Sequence, residues 1–117
     1  ALKANLLAYP ETEETYPFGP EAMVIKVSGK MFALVSLTDD PMWINLKCDP
    51  NDALALRDQY PAVQPGYHMN KRHWNTVTID GTIPDAEVWQ MIDHSFRLVV
   101  KGLKKADRDR VLTALTK

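Results

Sequence analysis

The sequence contains a single cysteine, Cys48, among its 117 residues. This excludes an intrachain disulfide, a zinc site built from cysteine pairs and a redox pair of the C-x-x-C type. One lone cysteine is also typical of proteins in a reducing compartment, so we expect a cytoplasmic location. No run of about 18 apolar residues predicts a membrane span, and no charged-then-apolar leader indicates a signal peptide.

The local motifs of catalytic sites are missing as well. There is no glycine-rich phosphate-binding loop, and Ser36, Ser95 and Cys48 stand in no nucleophile motif. His68 and His73 are five residues apart, which does not place them on one side of a helix, and no third metal ligand is close in sequence. We therefore predict a protein that is not an enzyme and holds neither a metal nor a cofactor.

Composition favours one globular domain over residues 1–117, with 45% hydrophobic and 25% charged residues. A chain of this length buries enough surface to fold without metal or disulfide support. The net charge of −1 argues against a protein whose whole surface binds nucleic acid. The charge is uneven, because the first 21 residues are rich in glutamate and the end of the chain is basic. The cations of that end are Arg97, Lys101, Lys104, Lys105, Arg108, Arg110 and Lys117.

Apolar spacing and helix-breaking residues predict four helices, at about 2–9, 49–60, 84–102 and 106–117. Asp49 followed by Pro50 is typical of a helix start, since aspartate caps backbone N–H groups and proline suits the first helical position. The third helix is the longest and ends at Gly102. Its predicted apolar side consists of Val88, Ile92, Phe96, Val99 and Leu103.

Alternating apolar residues predict four strands, at 21–27, 31–37, 43–48 and 75–80. The turn Ser28-Gly29 joins the first two strands as a hairpin. Residues 11–20 and 64–66 are predicted to be irregular connections. Short links between strands and helices at both ends favour an α+β fold, in which helices pack on one face of an antiparallel sheet.

The other face of this sheet is predicted to stay open to water. Alternation assigns to it Lys26, Trp43, Asn45, Lys47, Trp74, Thr76 and Thr78. Tryptophans among lysines are an unusual surface for a protein that binds nothing, because exposed aromatic patches often mark contact sites. We therefore predict that this face is a binding surface.

The segment from Lys71 to Trp74 is the most specific part of the predicted surface. Lys71, Arg72, His73 and Trp74 combine cations with aromatic rings, as phosphate contact and base stacking require. Two cations alone support only weak, salt-sensitive binding, so Lys26, Lys30, Lys47 or the basic C-terminal residues would have to contribute to DNA binding. Trp43 is predicted to join this DNA-binding surface as an aromatic residue of the open face. The alternative interpretation is that Trp74 anchors this loop in the core, and that Lys71 and Arg72 are merely solvated.

The stretch Pro65 to Trp74, with Thr76-Val77 and Asp80-Gly81 after it, resembles the hallmark of the YjbR/MmcQ family. Other landmarks similar to that family are Pro17-Phe18-Gly19-Pro20-Glu21, Lys30-Met31-Phe32-Ala33, Pro84-Asp85 and Asp93-His94-Ser95-Phe96. The resemblance implies a CyaY/frataxin-like α+β sandwich and the family's description as DNA-binding proteins. Iron binding, known for frataxin-like proteins with a long acidic first helix, is not implied, because the first helix here is short and not acidic.

Two functions therefore remain open. The leading hypothesis is a DNA-binding protein that uses the open sheet face and residues 67–74. The alternative is a protein-interaction or small-ligand module that uses the same surface, with the tryptophans as anchors and the sheet edge free for strand addition.

Overall fold

The computed structural model describes residues 2–67 and 69–116, so Ala1, His68 and Lys117 lie outside the described residues. The helices within those ranges are α1 (Leu2–Leu7), α2 (Pro50–Gln59), α3 (Asp85–Lys101) and α4 (Lys105–Leu115). The strands are β1 (Thr12–Thr15), β2 (Ala22–Val27), β3 (Lys30–Ser36), β4 (Trp43–Lys47), β5 (Val63–Pro65) and β6 (Trp74–Thr78). None of these helices combines the length and the apolar character needed to cross a membrane.

The strands form one antiparallel sheet in the order β1-β2-β3-β4-β6-β5. Side chains from α1, α3 and α4 pack with one face of the sheet in a single hydrophobic core. The prediction of an α+β fold with helices on one face of an antiparallel sheet is thus confirmed.

Local sequence explains the helix boundaries. The Asp49 carboxylate accepts the backbone N–H of Asn51 at 3.0 Å, and Pro50 occupies the first turn of α2. Helix α2 ends before Pro61, which disfavours a helical residue in front of it. The predicted apolar side of α3 is buried, as are Met91, Ser95 and Val100.

The prediction of irregular structure is wrong for two short edge strands. Strand β1 (TEET) lies at one edge of the sheet and has no buried residue, so its sequence shows no apolar alternation. Strand β5 contains Pro65, and proline is tolerated in a sheet mainly at an edge, where it interrupts no ladder. The strand predicted at 75–80 is also displaced, since β6 spans Trp74–Thr78.

Three aromatic rings join the segment after α1 to the sheet and to α3. The rings of Tyr9 and Phe96 stack with centroids 4.4 Å apart, and Phe32 meets Phe96 edge-on at 5.2 Å. The Tyr9 hydroxyl donates to Asp93 at 3.1 Å. Burial, together with the charge of Asp93, raises the pKa of Tyr9 to about 12, so the hydroxyl stays a donor at neutral pH.

Phe32 reaches this cluster because strand β3 contains a β-bulge. Ile25 of β2 pairs with Ala33 and Lys26 with Met31, which leaves Phe32 as an extra residue. The bulge interrupts the ladder to β4, and the Ser95 hydroxyl bridges the gap from α3. It donates to the Phe32 carbonyl at 2.6 Å and accepts the Lys47 N–H at 2.9 Å. Ser95 therefore has a structural role at this irregular point of the sheet.

We predict that Ser95→Ala destabilises the protein by about 1–3 kcal/mol, because it leaves buried backbone groups of two strands without partners. Urea unfolding followed by circular dichroism measures this change. Gln90→Ala, at an exposed position of the same helix, serves as the control and should change the free energy of unfolding by less than about 0.5 kcal/mol. Equal stabilities of the two variants would contradict the bridging role.

Candidate nucleic-acid interface

The sheet face opposite the helices is called the far face here. One row of residues crosses all six strands on this face: Thr15, Val24, Leu34, Asn45, Thr76 and Gln64. The middle of the row is closed to water, since Asn45 is 1% and Thr76 9% exposed. The prediction that Asn45 and Thr76 face water is therefore wrong. Trp43, Lys47 and Trp74 are half-buried.

Asn45 and Thr76 are buried because the chain after β5 runs over them. The Thr76 hydroxyl accepts the Tyr67 N–H at 2.8 Å and donates to the Asn45 side-chain oxygen. The Asn45 amide donates in turn to the Tyr67 carbonyl at 3.0 Å. These bonds satisfy polar atoms whose burial would otherwise be costly, and they fasten the chain to the far face.

The segment between β5 and β6, loop 66–73, is also held from the helix side of the sheet. The Arg57 guanidinium, on α2, donates to the Asn75 side chain at 2.7 Å, to the Trp74 carbonyl at 3.3 Å and to the Lys71 carbonyl. At the base of the loop the Gly66 N–H donates to the Trp74 carbonyl at 2.8 Å. Loop 66–73 is therefore fixed at its ends and at Lys71.

The structure brings part of the predicted site together. Lys71 and Arg72 are exposed at the tip of the loop, whereas His73 and Trp74 are half-buried where the loop joins β6. Lys71 Nζ lies 3.3 Å from the Gly66 carbonyl, so this cation folds back over its own loop. His68, considered as a metal ligand, lies outside the described residues.

The remaining predicted residues lie at different distances from the loop. Lys47 stands opposite Trp74 in the β4–β6 register. Trp43 is at the other end of β4, where its ring meets the ring of Tyr67 edge-on with centroids 6.0 Å apart. Lys26 lies on β2, two strands away from β4, and is the predicted residue least connected with the loop.

Two residues that were not among the individually predicted contact residues shape this site. Tyr67 is 58% exposed and pairs with Trp43, so it adds an accessible ring. Asp39 accepts the Trp43 indole N–H at 2.6 Å. Hydrogen bonds from Ser36 and then from Trp43 hold the pKa of Asp39 below its usual value, so a negative charge borders the aromatic pair.

Within residues 2–67 and 69–116, no three His, Cys, Asp or Glu side chains lie close enough together to hold a metal ion. His94 Nε2 accepts the Asp49 N–H at 3.3 Å. Asp93, the residue before it, bonds to Tyr9 and Arg97.

Cys48 is buried, and burial raises the pKa of its thiol from 9.0 to about 11, with a further contribution from Asp52 and Asp49. We predict that the thiolate fraction at pH 8 is about a hundredfold lower in the folded protein than in the unfolded chain. The reaction rate with a small disulfide reagent, in buffer and in denaturant, measures this difference. Asp52→Asn should speed the reaction of the folded protein, and similar folded and unfolded rates would contradict the prediction.

Gly66 allows close contact between the start of the loop and Trp74. A Cβ atom on Gly66 would lie 2.7 Å from the Trp74 Cβ and 2.9 Å from its carbonyl oxygen, so the backbone would have to move. We predict that Gly66→Ala destabilises the protein by about 1–3 kcal/mol. Chemical unfolding measures this, with Gly102→Ala as a control whose added Cβ would find its nearest atom at 3.5 Å. A neutral Gly66→Ala would show that the loop is not held in this position.

Comparisons with known proteins agree with this architecture. The Escherichia coli O157:H7 uncharacterized protein YbdF is 45% identical over 109 residues, covering 93% of this chain and 89% of that protein. The protein YjbR of Escherichia coli K12 is 34% identical and covers 87% and 86% of the two chains. A crystal structure from Deinococcus radiodurans, with the family-model domain DUF419, superposes with a TM-score of 0.88 at 40% identity over 94% of this chain and 84% of that one. The YjbR family model matches residues 7–98, and the chain therefore belongs to the YjbR family.

Proposed function

We propose that this protein is a non-enzymatic DNA-binding protein that contacts a single strand weakly through the far face and loop 66–73. The observation that carries the proposal is the ring pair of Trp43 and Tyr67 on the sheet face opposite the helices, with the exposed cations Lys71 and Arg72 four and five residues after Tyr67 in the same loop. Aromatic rings beside cations are the usual means of binding single strands without sequence preference.

A single strand fits this surface better than a duplex. Bases in a duplex already stack on one another, whereas an unpaired base is free to stack on Tyr67, whose ring is largely exposed. The hydrogen bonds from Asn45, Thr76 and Arg57 fix the loop backbone before binding, which lowers the entropic cost of forming the complex.

The charge near the rings limits the affinity. Lys71, Arg72 and Lys47 favour phosphate, but Asp39 at the Trp43 indole repels it. Since the net charge of the chain is −1, long-range attraction adds little to these local contacts. We therefore expect weak binding that is readily abolished by salt.

Fluorescence anisotropy of a labelled single-stranded oligonucleotide over a salt series tests the proposal. Affinity should fall as salt rises, and the double change Lys71→Ala and Arg72→Ala should reduce the logarithmic salt slope by about 1.4, or about 0.7 for each lost phosphate contact. Tyr67→Ala should lower the affinity about tenfold or more and leave the slope unchanged.

Two controls complete this experiment. Lys101→Ala with Lys104→Ala makes the same charge change at the C-terminal side of α3 and should leave the slope unchanged. Asp39→Asn keeps an acceptor for the Trp43 indole but removes the repelling charge, so it should increase affinity. An absence of binding at low salt, or an equal loss in the charge control, would refute DNA binding through this face.

The alternative is a protein-interaction or small-ligand module that uses the same surface, and the carboxylate of Asp39 at the ring pair favours it. An aromatic pair with a fixed acceptor suits a partner that supplies a hydrogen-bond donor and an apolar side chain. Such a partner would be lost with Trp43→Ala but retained in high salt. Strand addition would need edge β1, because Pro65 interrupts the other edge.

A further inference from the structure

A groove of about 230 Å3 opens on the helix side of the sheet, between α2 and α3 and above β4 and β6. Leu46, Val77 and Met91 form its apolar floor, and all three are buried. Leu56 and Cys48 extend the floor toward α2, where the protonated thiol behaves as an apolar group. The groove is smaller than the roughly 300–1,000 Å3 of pockets for drug-sized ligands, so it suits a small molecule with one ring or a branched chain.

The rim of the groove is acidic. Asp52 on α2 and Glu87 on α3 border it from opposite sides. In the described part of the chain the Glu87 carboxylate makes no hydrogen bond or ion pair, and the Asp52 carboxylate lies 3.7 Å from His94 Nε2.

Lys47 is the remaining charged residue at the groove, at the end of β4. Strand alternation directs its side chain to the far face, opposite Trp74, because Leu46 faces the helices. Within residues 2–67 and 69–116, Glu87 is therefore the rim carboxylate that pairs with no cationic side chain, whereas Asp52 lies beside His94.

We propose that this groove binds a small organic amine whose aromatic or branched aliphatic group rests on Leu46, Val77 and Met91, and whose ammonium group pairs with the Glu87 carboxylate at the rim. The apolar floor supplies affinity through burial of the hydrocarbon part. The Glu87 carboxylate selects a cation and disfavours an anion of the same shape. No described residue of loop 66–73 lines the groove, so amine binding and DNA binding can be tested separately.

Titration of the whole protein with 2-phenylethylamine and with phenylacetate, followed by methyl NMR, tests the proposal. The two probes share a phenyl ring and differ in the sign of their charge. We expect the amine to shift the methyl signals of Leu46, Val77 and Met91 and to bind about tenfold more tightly than the acid. No shift with the amine, equal affinities of the two probes, or shifts located elsewhere would overturn the proposal.

Variants separate the roles of the floor and the rim. Ala55→Phe, at an exposed α2 position that lines the groove, should fill the space and abolish binding. Leu54→Phe, at the adjacent exposed position outside the lining, is the matched control and should bind normally. Glu87→Gln should weaken amine binding about tenfold without weakening phenylacetate binding. Unchanged amine binding in Ala55→Phe, with circular dichroism showing a folded protein, would refute the site.

Discussion

Hydrogen bonds between the backbone of loop 66–73 and the side chains of Asn45, Thr76 and Arg57 are the interaction on which the far face depends. An eight-residue loop between two antiparallel strands has no backbone ladder of its own, and such loops are usually mobile. Here Asn45 and Thr76 hold Tyr67 from the sheet, and Arg57 holds Lys71 and Trp74 from α2. The loop is thereby held in one position relative to both the sheet and the helix layer.

This arrangement has a consequence for the chemistry of the surface. The loop covers the polar centre of the far face. The accessible groups of this face are therefore the ring of Tyr67, the half-buried indoles and the cations at the loop tip. The buried amide and hydroxyl are satisfied by protein atoms rather than by a ligand. Recognition on this face therefore has to come from rings and charges, and not from the polar row at its centre.

Much of the fold follows from apolar spacing and from proline and glycine positions. The four helices, the hairpin at Ser28-Gly29 and the helix cap at Asp49 were all predicted from local sequence. Strands β1 and β5 were not, because an edge strand makes backbone bonds without needing buried side chains. A local reading of TEET or of a segment that contains Pro65 shows only polar or turn-forming residues.

The candidate site was predicted less completely, for a different physical reason. Alternation correctly places Asn45 and Thr76 on the far face. Their burial, however, depends on Tyr67, which lies 22 residues after Asn45 in the sequence and covers this face. Arg57 has no sequence signal at all, since a helical arginine is ordinarily solvated. The bulge at Phe32 has no local sequence signal either. The hydroxyl that bridges it belongs to Ser95 on α3, which is distant from Phe32 in the sequence.

Helix α2 connects the two surfaces physically. Of its residues only Ala53 is fully buried, so apolar packing holds this helix weakly. Polar contacts at both ends compensate: Asp49 caps its start next to His94, and Arg57 near its end bonds to Asn75 and the loop. The same helix forms one wall of the acidic groove through Asp52 and Ala55. Since Arg57 and Asp52 lie little more than one turn apart, any displacement of α2 that changes the width of the groove also moves the guanidinium that positions Lys71.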